Sequence, residues 1–142
     1  MMKINIANES GKLSAVIVGI ADDFGGIPKI EECYDPKSKA HIIAGTYPIE
    51  QDCVSEIEAL VDVLEKYGVD VFRTNNINGL NQIFSRDIAF VIADKLVLPN
   101  IIDNRKEEAS AIDDVISQIS SECILKIPVE ARIEGGDVIS WN

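Results

Sequence analysis

The first apolar pattern along the chain is a short run from Leu13 to Ile20. It is nearly continuous and rich in β-branched residues, as expected of a strand that is buried on both faces. Residues 21–46 show little periodicity and contain Gly25-Gly26 and Tyr34-Asp35-Pro36, so we predict a long loop there. A loop of this length in a compact domain is usually either functional or wrongly assigned.

A helix is predicted to begin at Tyr47-Pro48, because proline suits the first helical turn, where its missing N–H would be unpaired anyway. Apolar residues then recur at spacings of three and four, which predicts a core-facing stripe. The stripe consists of Val54, Ile57, Val61 and Leu64. Gly68 is a natural stop for this helix, and residues 69–72 are predicted to form a strand.

The second half of the chain has a pattern of strand, strand, helix and strand. We predict strands over 88–93 and 96–98, joined by a tight turn at Asp94-Lys95. A helix from Arg105 to about Ser120 and a strand over 124–127 follow. The apolar stripe of that helix consists of Ala109, Ile112, Ile116 and Ile119, with Val115 at its edge. A last strand is predicted over 138–141. The hairpin argues against a doubly wound sheet, in which helices join parallel strands.

Length and composition indicate one soluble domain over residues 1–142, with 46% apolar and 26% charged residues. No apolar run is long enough to span a bilayer, and the N-terminus lacks the apolar core of a secretory signal, so we expect a cytoplasmic protein. The net charge of −11 argues against nucleic acid and anionic membranes as partners. It agrees with a cationic small molecule.

Cysteine and histidine are too few and too scattered for a metal site. Cys33, Cys53 and Cys123 form no close pair, and His41 is the one histidine, so the spacing of a zinc site does not occur. We therefore expect three reduced cysteines, no metal and no cofactor.

Two carboxylates stand just before predicted strands. Asp87 ends the stretch Asn81-Gln-Ile-Phe-Ser-Arg-Asp87, and Glu134 begins Glu134-Gly-Gly-Asp137. Carboxylates at two neighbouring strand ends can hold a planar cation between them. A guanidinium fits best because its N–H donors form a fixed fork that carboxylates accept in pairs. Taken alone, either stretch is more simply explained as a surface ion pair or a turn.

Together with Gly11-Lys-Leu-x-x-Val-Ile-Val-Gly19 and Tyr34-Asp-Pro36, these motifs resemble the pentein superfamily of guanidine-modifying enzymes. Its members include arginine deiminase, dimethylarginine dimethylaminohydrolase and the amidinotransferases, and the amidinotransferase branch is the most similar. The resemblance covers nearly the whole chain but only the front half of such an enzyme. It implies an α/β fold, a partial pentein-type α/β propeller with about two ββαβ blades and the start of a third.

The resemblance also implies roles for the residues that match its motifs. Asp87 and Glu134 would be the catalytic carboxylates that hold the substrate guanidinium, and Phe84 would form an apolar wall beside it. Asn81 and Arg105 would bind the rest of the substrate, notably its carboxylate. The turn beside the ligand would consist of Gly135, Gly136 and Asp137. The loop over 21–46 would form part of the substrate rim.

In the family, a cysteine thiolate attacks the guanidinium carbon and the amidino group then passes to water or to an amine, while a histidine transfers protons. Both residues belong to the family's second half. The resemblance therefore implies that this chain alone is inactive and that a complementary C-terminal half supplies them. The chain's own cysteines and His41 do not match those positions.

Three functions stay open at this point. The first is the N-terminal part of an amidinotransferase-like enzyme acting on a guanidino compound such as arginine. The second is a non-catalytic half-domain that binds arginine, and the third is a structural half-domain that associates through an open sheet edge. Because an unpaired strand edge favours association, we expect a homo-oligomer or a partner chain.

Overall fold

The computed structural model describes residues 2–140, which form a mixed α/β fold with two small sheets. Strands and helices are interspersed along the chain, and a 3₁₀ helix takes the place of a long second helix. The elements are β1 Ala15–Val18, α1 Pro36–Ala44, α2 Glu50–Lys66, β2 Asp70–Arg73, α3 Ser85–Ile88, β3 Phe90–Ile92, β4 Lys95–Leu98, the 3₁₀ helix Asp103–Ile112, α4 Asp113–Ile116 and β5 Ile124–Lys126. Two single 3₁₀ turns cover Ser121–Cys123 and Gly135–Asp137.

The first sheet pairs β1 with β2 in parallel, and α2 lies between them in the chain. Ala15 is opposite Asp70 and Val18 is opposite Arg73. The predicted stripe of α2 is confirmed, because the four apolar residues named above are buried or half-buried. The helix begins at Glu50 with Ile49 as its N-cap, so Pro48 precedes the helix and does not lie in its first turn as predicted. Gly68 follows it in the left-handed conformation, with φ of 73°, as expected of a helix stop.

The second sheet has the order β3-β4-β5. The predicted hairpin is confirmed, with β3 and β4 antiparallel and Ile92 opposite Lys95. Its turn is Ala93-Asp94, one residue earlier than the predicted Asp94-Lys95, because Lys95 already belongs to β4. β4 then pairs with β5 in parallel, and the 3₁₀ helix and α4 form the connection. The main core lies between this sheet and that connection, where Leu96 and Ile112 are fully buried. Among residues 2–140, no helix is both long enough and apolar enough to cross a membrane.

The prediction of a structureless loop over 21–46 is wrong, because it contains α1. Asp35 caps this helix, and its Oδ2 accepts a hydrogen bond of 2.6 Å from the backbone N–H of Ser38. Pro36 occupies the first turn and Gly45 ends the helix in the left-handed conformation. α1 buries none of its residues. It therefore has no apolar stripe, and the pattern of apolar residues could not predict it.

The predicted helix from Arg105 to Ser120 is also wrong in type and extent. The segment is a 3₁₀ helix up to Ile112, and only Asp113–Ile116 is α-helical. Ala109, assigned to the core stripe, is exposed. The 3₁₀ helix instead buries the charged pair Arg105 and Glu108 beside Ala111 and Ile112.

The strand predicted over 138–141 is not formed in its described part. Residues 138–140 belong to no strand, and Ile139 is 77% exposed. The fourth position of that prediction, Trp141, lies outside the described residues. Asp87 was expected directly before a strand, but it lies inside the short helix α3, and Ala89 separates that helix from β3.

Candidate functional site

Asp87 lies in α3, which two contacts hold against β1. Ser85 Oγ donates a hydrogen bond of 2.9 Å to the carbonyl oxygen of Ile17 in β1. Gly19 allows the chain before α3 to approach β1 closely, because a Cβ at this position would collide with the carbonyl oxygen of Gln82. These contacts fix α3, and with it Asp87, against the first sheet.

Asn81 and Gln82 shape the segment that leads into α3. Asn81 Oδ1 accepts a hydrogen bond of 3.1 Å from the backbone N–H of Ile83. Gln82 is buried, and its side chain binds the carbonyl oxygen of Asn75 and the N–H of Ile77, each at 2.6 Å. In this structure Asn81 therefore stabilises a turn, and its role toward a substrate stays a prediction.

Glu134 precedes the 3₁₀ turn Gly135–Asp137, which packs against α3. The backbone N–H of Gly136 donates a hydrogen bond of 3.1 Å to Asp87 Oδ1. A Cβ at Gly136 would lie 2.5 Å from that oxygen, so a larger residue here would force the Asp87 carboxylate to shift. Asp137 closes the turn through a backbone hydrogen bond of 3.0 Å to Glu134. The two sequence motifs therefore meet in space, although 47 positions separate Asp87 from Glu134.

Arg86 holds the same turn from the other side. Its Nε donates a hydrogen bond of 3.1 Å to the carbonyl oxygen of Gly135, and its Nη2 donates one of 2.7 Å to that of Val138. Nη2 also forms an ion pair of 3.0 Å with Glu9. Arg86 therefore has a structural role, because it joins α3 to the turn Gly135–Asp137.

Asp87 and Glu134, which we call the carboxylate clamp, converge on the guanidinium of Arg105. Arg105 Nη1 lies 2.8 Å from Asp87 Oδ2 and 3.3 Å from Glu134 Oε2. The other edge of the same guanidinium faces Glu108, with 3.0 Å from Nε to Oε1 and 2.7 Å from Nη2 to Oε2. We call these four residues the arginine cluster.

The arginine cluster is charged and largely shielded from water. Arg105 is 7% exposed and Glu108 is 6% exposed. Burial on its own lowers the pKa of Arg105, but hydrogen bonds to Glu108 and Asp87 outweigh it, and the pKa lies above its ordinary value. The guanidinium therefore stays protonated. Three carboxylates around one guanidinium carry a net charge of −2, so the cluster attracts a further cation.

Two features of the cluster suit a second guanidinium. Within residues 2–140, Glu134 Oε1 is buried and has no hydrogen-bond partner, so it can still accept an N–H. Phe84 is 56% exposed, and the centre of its ring lies 5.9 Å from the guanidinium carbon of Arg105, within the range of a cation–π contact. Phe84 thus offers an exposed aromatic side chain beside the cluster.

Tyr34 brings the 21–46 segment to the same place. Burial raises the pKa of the Tyr34 phenol, while the charge of Arg105 lowers it and those of Glu108 and Glu134 raise it. The phenol thus lies within electrostatic reach of the arginine cluster. Glu108 was missed at the sequence level. Its signal is its position three residues after Arg105, because side chains three apart on a 3₁₀ helix are eclipsed.

The chain's own thiols and imidazole lie elsewhere. His41 Nδ1 is 2.9 Å from Thr46 Oγ1 at the end of α1. Burial, together with the nearby Glu56 and Asp52, raises the pKa of the Cys53 thiol in α2. In the described part of the chain, no cysteine and no histidine shares a hydrogen bond or ion pair with the arginine cluster. The same residues contain no group of three His, Cys, Asp or Glu side chains arranged to hold a metal ion.

Comparison with known proteins places this fold among guanidine-modifying enzymes. The family model described as N,N dimethylarginine dimethylhydrolase, eukaryotic, matches residues 39–138, which include all four members of the arginine cluster. No curated protein sequence matches the chain.

Several solved structures have a similar fold. A dimethylarginine dimethylaminohydrolase adduct with 4-chloro-2-hydroxymethylpyridine is 13% identical, with a TM-score of 0.68 over 92% of this chain and 46% of that one. Inosamine-phosphate amidinotransferase from Streptomyces griseus is 21% identical, with a TM-score of 0.65 over 88% and 43%. The substrate-bound N-terminal domain of an arginine dihydrolase from cyanobacteria is 12% identical, with a TM-score of 0.63 over 85% and 42%.

These likenesses confirm the expected mixed α/β fold of the pentein type. The number of propeller blades stays a prediction. The chain spans less than half the length of each of these three structures.

Proposed function

We propose that this chain, which belongs to the N,N dimethylarginine dimethylhydrolase family, is part of an enzyme that modifies guanidino groups. Its role would be to hold the guanidinium. One observation carries the proposal. Two carboxylates from distant motifs, Asp87 and Glu134, converge on a guanidinium nitrogen. The guanidinium in this structure belongs to Arg105, and the net negative charge of the cluster favours a second one from a substrate.

The substrate we propose is a guanidino compound such as arginine. Its guanidinium would lie beside the exposed Phe84 and donate N–H groups to the carboxylate clamp, whose Asp87 and Glu134 side chains are 19% and 25% exposed. Carboxylates fixed in advance hold the charged group in one orientation and stabilise it. Tyr34, from the segment over 21–46, is suited to form part of the rim.

The chemistry we propose is amidinotransferase-like. A cysteine thiolate attacks the central guanidinium carbon, ammonia or an amine leaves, and the amidino group passes from sulfur to water or to an acceptor amine. We assign the thiolate and the proton-transferring histidine to a complementary C-terminal part, because the matched structures are about twice as long as this chain. Within this proposal the chain contributes about two blades of a propeller, acts in the cytoplasm and associates with that part or with copies of itself.

A second candidate is a guanidinium-binding half-domain without catalysis. It is favoured by one observation, namely that the cysteines and His41 of the described chain make no hydrogen bond or ion pair with the arginine cluster. Both candidates predict arginine binding, and only the first predicts turnover when a complementary part is present.

The first test is calorimetric titration of arginine into the 142-residue chain. We expect binding, and we expect Asp87→Asn to weaken it by about tenfold or more, since a charge-assisted hydrogen bond is lost without a change of shape. The matched control is Asp103→Asn, which removes the same charge from an exposed pair with Arg132 and should change the affinity by less than about twofold. A folded wild-type chain that binds no arginine would contradict the proposal.

A further inference from the structure

The guanidinium of Arg105 is shared unequally between its acceptors. Glu108 receives two N–H donors in a parallel fork, from Nε at 3.0 Å and from Nη2 at 2.7 Å. The carboxylate clamp receives only Nη1, and its contact with Glu134 is long, at 3.3 Å. The stronger, bidentate side of the guanidinium therefore faces away from the clamp.

The 3₁₀ helix favours this arrangement. Residues three apart on a 3₁₀ helix are eclipsed, whereas on an α-helix they are offset. Arg105 and Glu108 stand in this relation, and both are buried. Because water has little access, Glu108 competes with the clamp for Arg105 without being screened by solvent.

We propose that Glu108 is a positioning residue that holds Nε and Nη2 of Arg105 away from the carboxylate clamp, so that the acceptors not taken by Nη1 stay available to an external guanidinium. This inference rests on the proposed function. Without Glu108, the Nε and Nη2 donors of Arg105 would be buried and unpaired, which is costly. The clamp offers the acceptors within reach, among them the unpartnered Glu134 Oε1. The Nε and Nη2 donors would then turn toward the clamp and take its remaining acceptors.

An occupant tethered to the same chain is a strong competitor. Its effective concentration is on the order of millimolar or higher, so dissolved arginine would have to exceed that level to displace it. Glu108 therefore decides whether the remaining acceptors of the clamp bind the chain's own arginine or an external one.

The test measures arginine affinity by calorimetry on four forms of the chain. Glu108→Gln replaces one acceptor by a donor that opposes the fork, and we expect about tenfold weaker binding or more. Glu107→Gln removes the same charge from the exposed neighbouring residue, and we expect less than about a twofold change. Glu108→Gln combined with Arg105→Lys keeps the positive charge but lacks a planar fork, and we expect most of the affinity to return.

The possible results distinguish failure of this inference from failure of the proposed function. If wild type and Glu108→Gln bind arginine with equal affinity, this inference is overturned and the proposed function is not. Equal losses in Glu108→Gln and Glu107→Gln, or no recovery with lysine at position 105, would assign the effect to charge and would also overturn it. A folded wild-type chain that binds no arginine would overturn the proposed function and this inference together. Should Glu108→Gln fail to fold, Glu108→Asp keeps the charge, and its shorter reach should weaken binding in the same direction.

Discussion

The helix α2 and the 3₁₀ helix Asp103–Ile112 connect strands in corresponding places of the two sheets, but they are built in opposite ways. α2 is a regular helix of 17 residues that presents an apolar stripe to the core and buries Val61. The 3₁₀ helix is irregular and buries an arginine and a glutamate. The regular helix acts as scaffold, and the irregular one carries the candidate site.

This difference follows from the cost of burying charge. An ion removed from water is stable only when it is paired and its hydrogen bonds are satisfied. Glu58 on α2 meets Arg73 at 2.9 Å, but its side chain is 52% exposed, so the pair contributes little. Arg105 and Glu108 are buried and depend on each other. Charged residues that interrupt an apolar pattern and are fully paired inside the protein are typical of a functional site.

Among substitutions that should distinguish the two helices, replacement of Arg105 should have the largest effect on the free energy of unfolding. Arg105→Leu leaves three carboxylates without their cation, and we expect the free energy of unfolding to fall by about 3–5 kcal/mol. The exposed neighbour Lys106 is the matched control, and Lys106→Leu should change it by less than about 0.5 kcal/mol. Urea denaturation measures both. A loss for Arg105→Leu of less than about 1 kcal/mol would show that the carboxylates do not depend on it.

A smaller effect should follow from the apolar stripe of α2. Val61→Ala removes two buried methyl groups and leaves a small cavity, and we expect a loss of about 2 kcal/mol in the free energy of unfolding. Val63 lies on the same helix but is 52% exposed, so Val63→Ala should cost less than about 0.5 kcal/mol. The same urea titrations apply. Equal costs for the two substitutions would mean that α2 packs with a different face than the structure gives.

The same contrast explains what could be predicted from the sequence. The helix α2, the hairpin and the strand pairing after it follow apolar patterns, and such patterns report the burial of apolar side chains directly. The helix over 105–120 was predicted wrongly because Arg105 and Glu108, which are buried, count as surface residues in any such pattern. α1 was missed because all of its residues are outside the core.

The candidate site divides in a similar way. Asp87 and Glu134 could be named from their motifs and from their resemblance to a family. That they meet at Arg105, and that Glu108 holds the other edge of its guanidinium, could not be inferred, because these contacts depend on how α3, the 3₁₀ helix and the Gly135–Asp137 turn pack together. A residue's type and spacing indicate what it can bind, whereas its partner is decided by tertiary packing.

The smallest effect is expected at α1, which has neither an apolar stripe nor a buried charge and therefore depends on its cap. Hydrogen bonds from the backbone and side chain of Ser38 lower the pKa of Asp35. A lowered pKa in the folded state means that the cap stabilises α1 above the ordinary pKa of about 4 and loses its effect as the pH falls through the lower folded value. Asp35→Ala should therefore speed amide exchange of Ser38 several-fold near neutral pH.

Asp35→Asn is the matched control, because an asparagine side chain can still accept the hydrogen bond from the Ser38 N–H. Exchange measured by NMR should be slower in this variant than in Asp35→Ala but faster than in wild type, and the difference between wild type and Asp35→Asn should shrink as the pH is lowered to about 3 or below. A difference that persisted unchanged at low pH would mean that the ionised carboxylate is not what holds the helix start. α1 would then depend on Pro36 and Gly45 alone, through backbone conformation.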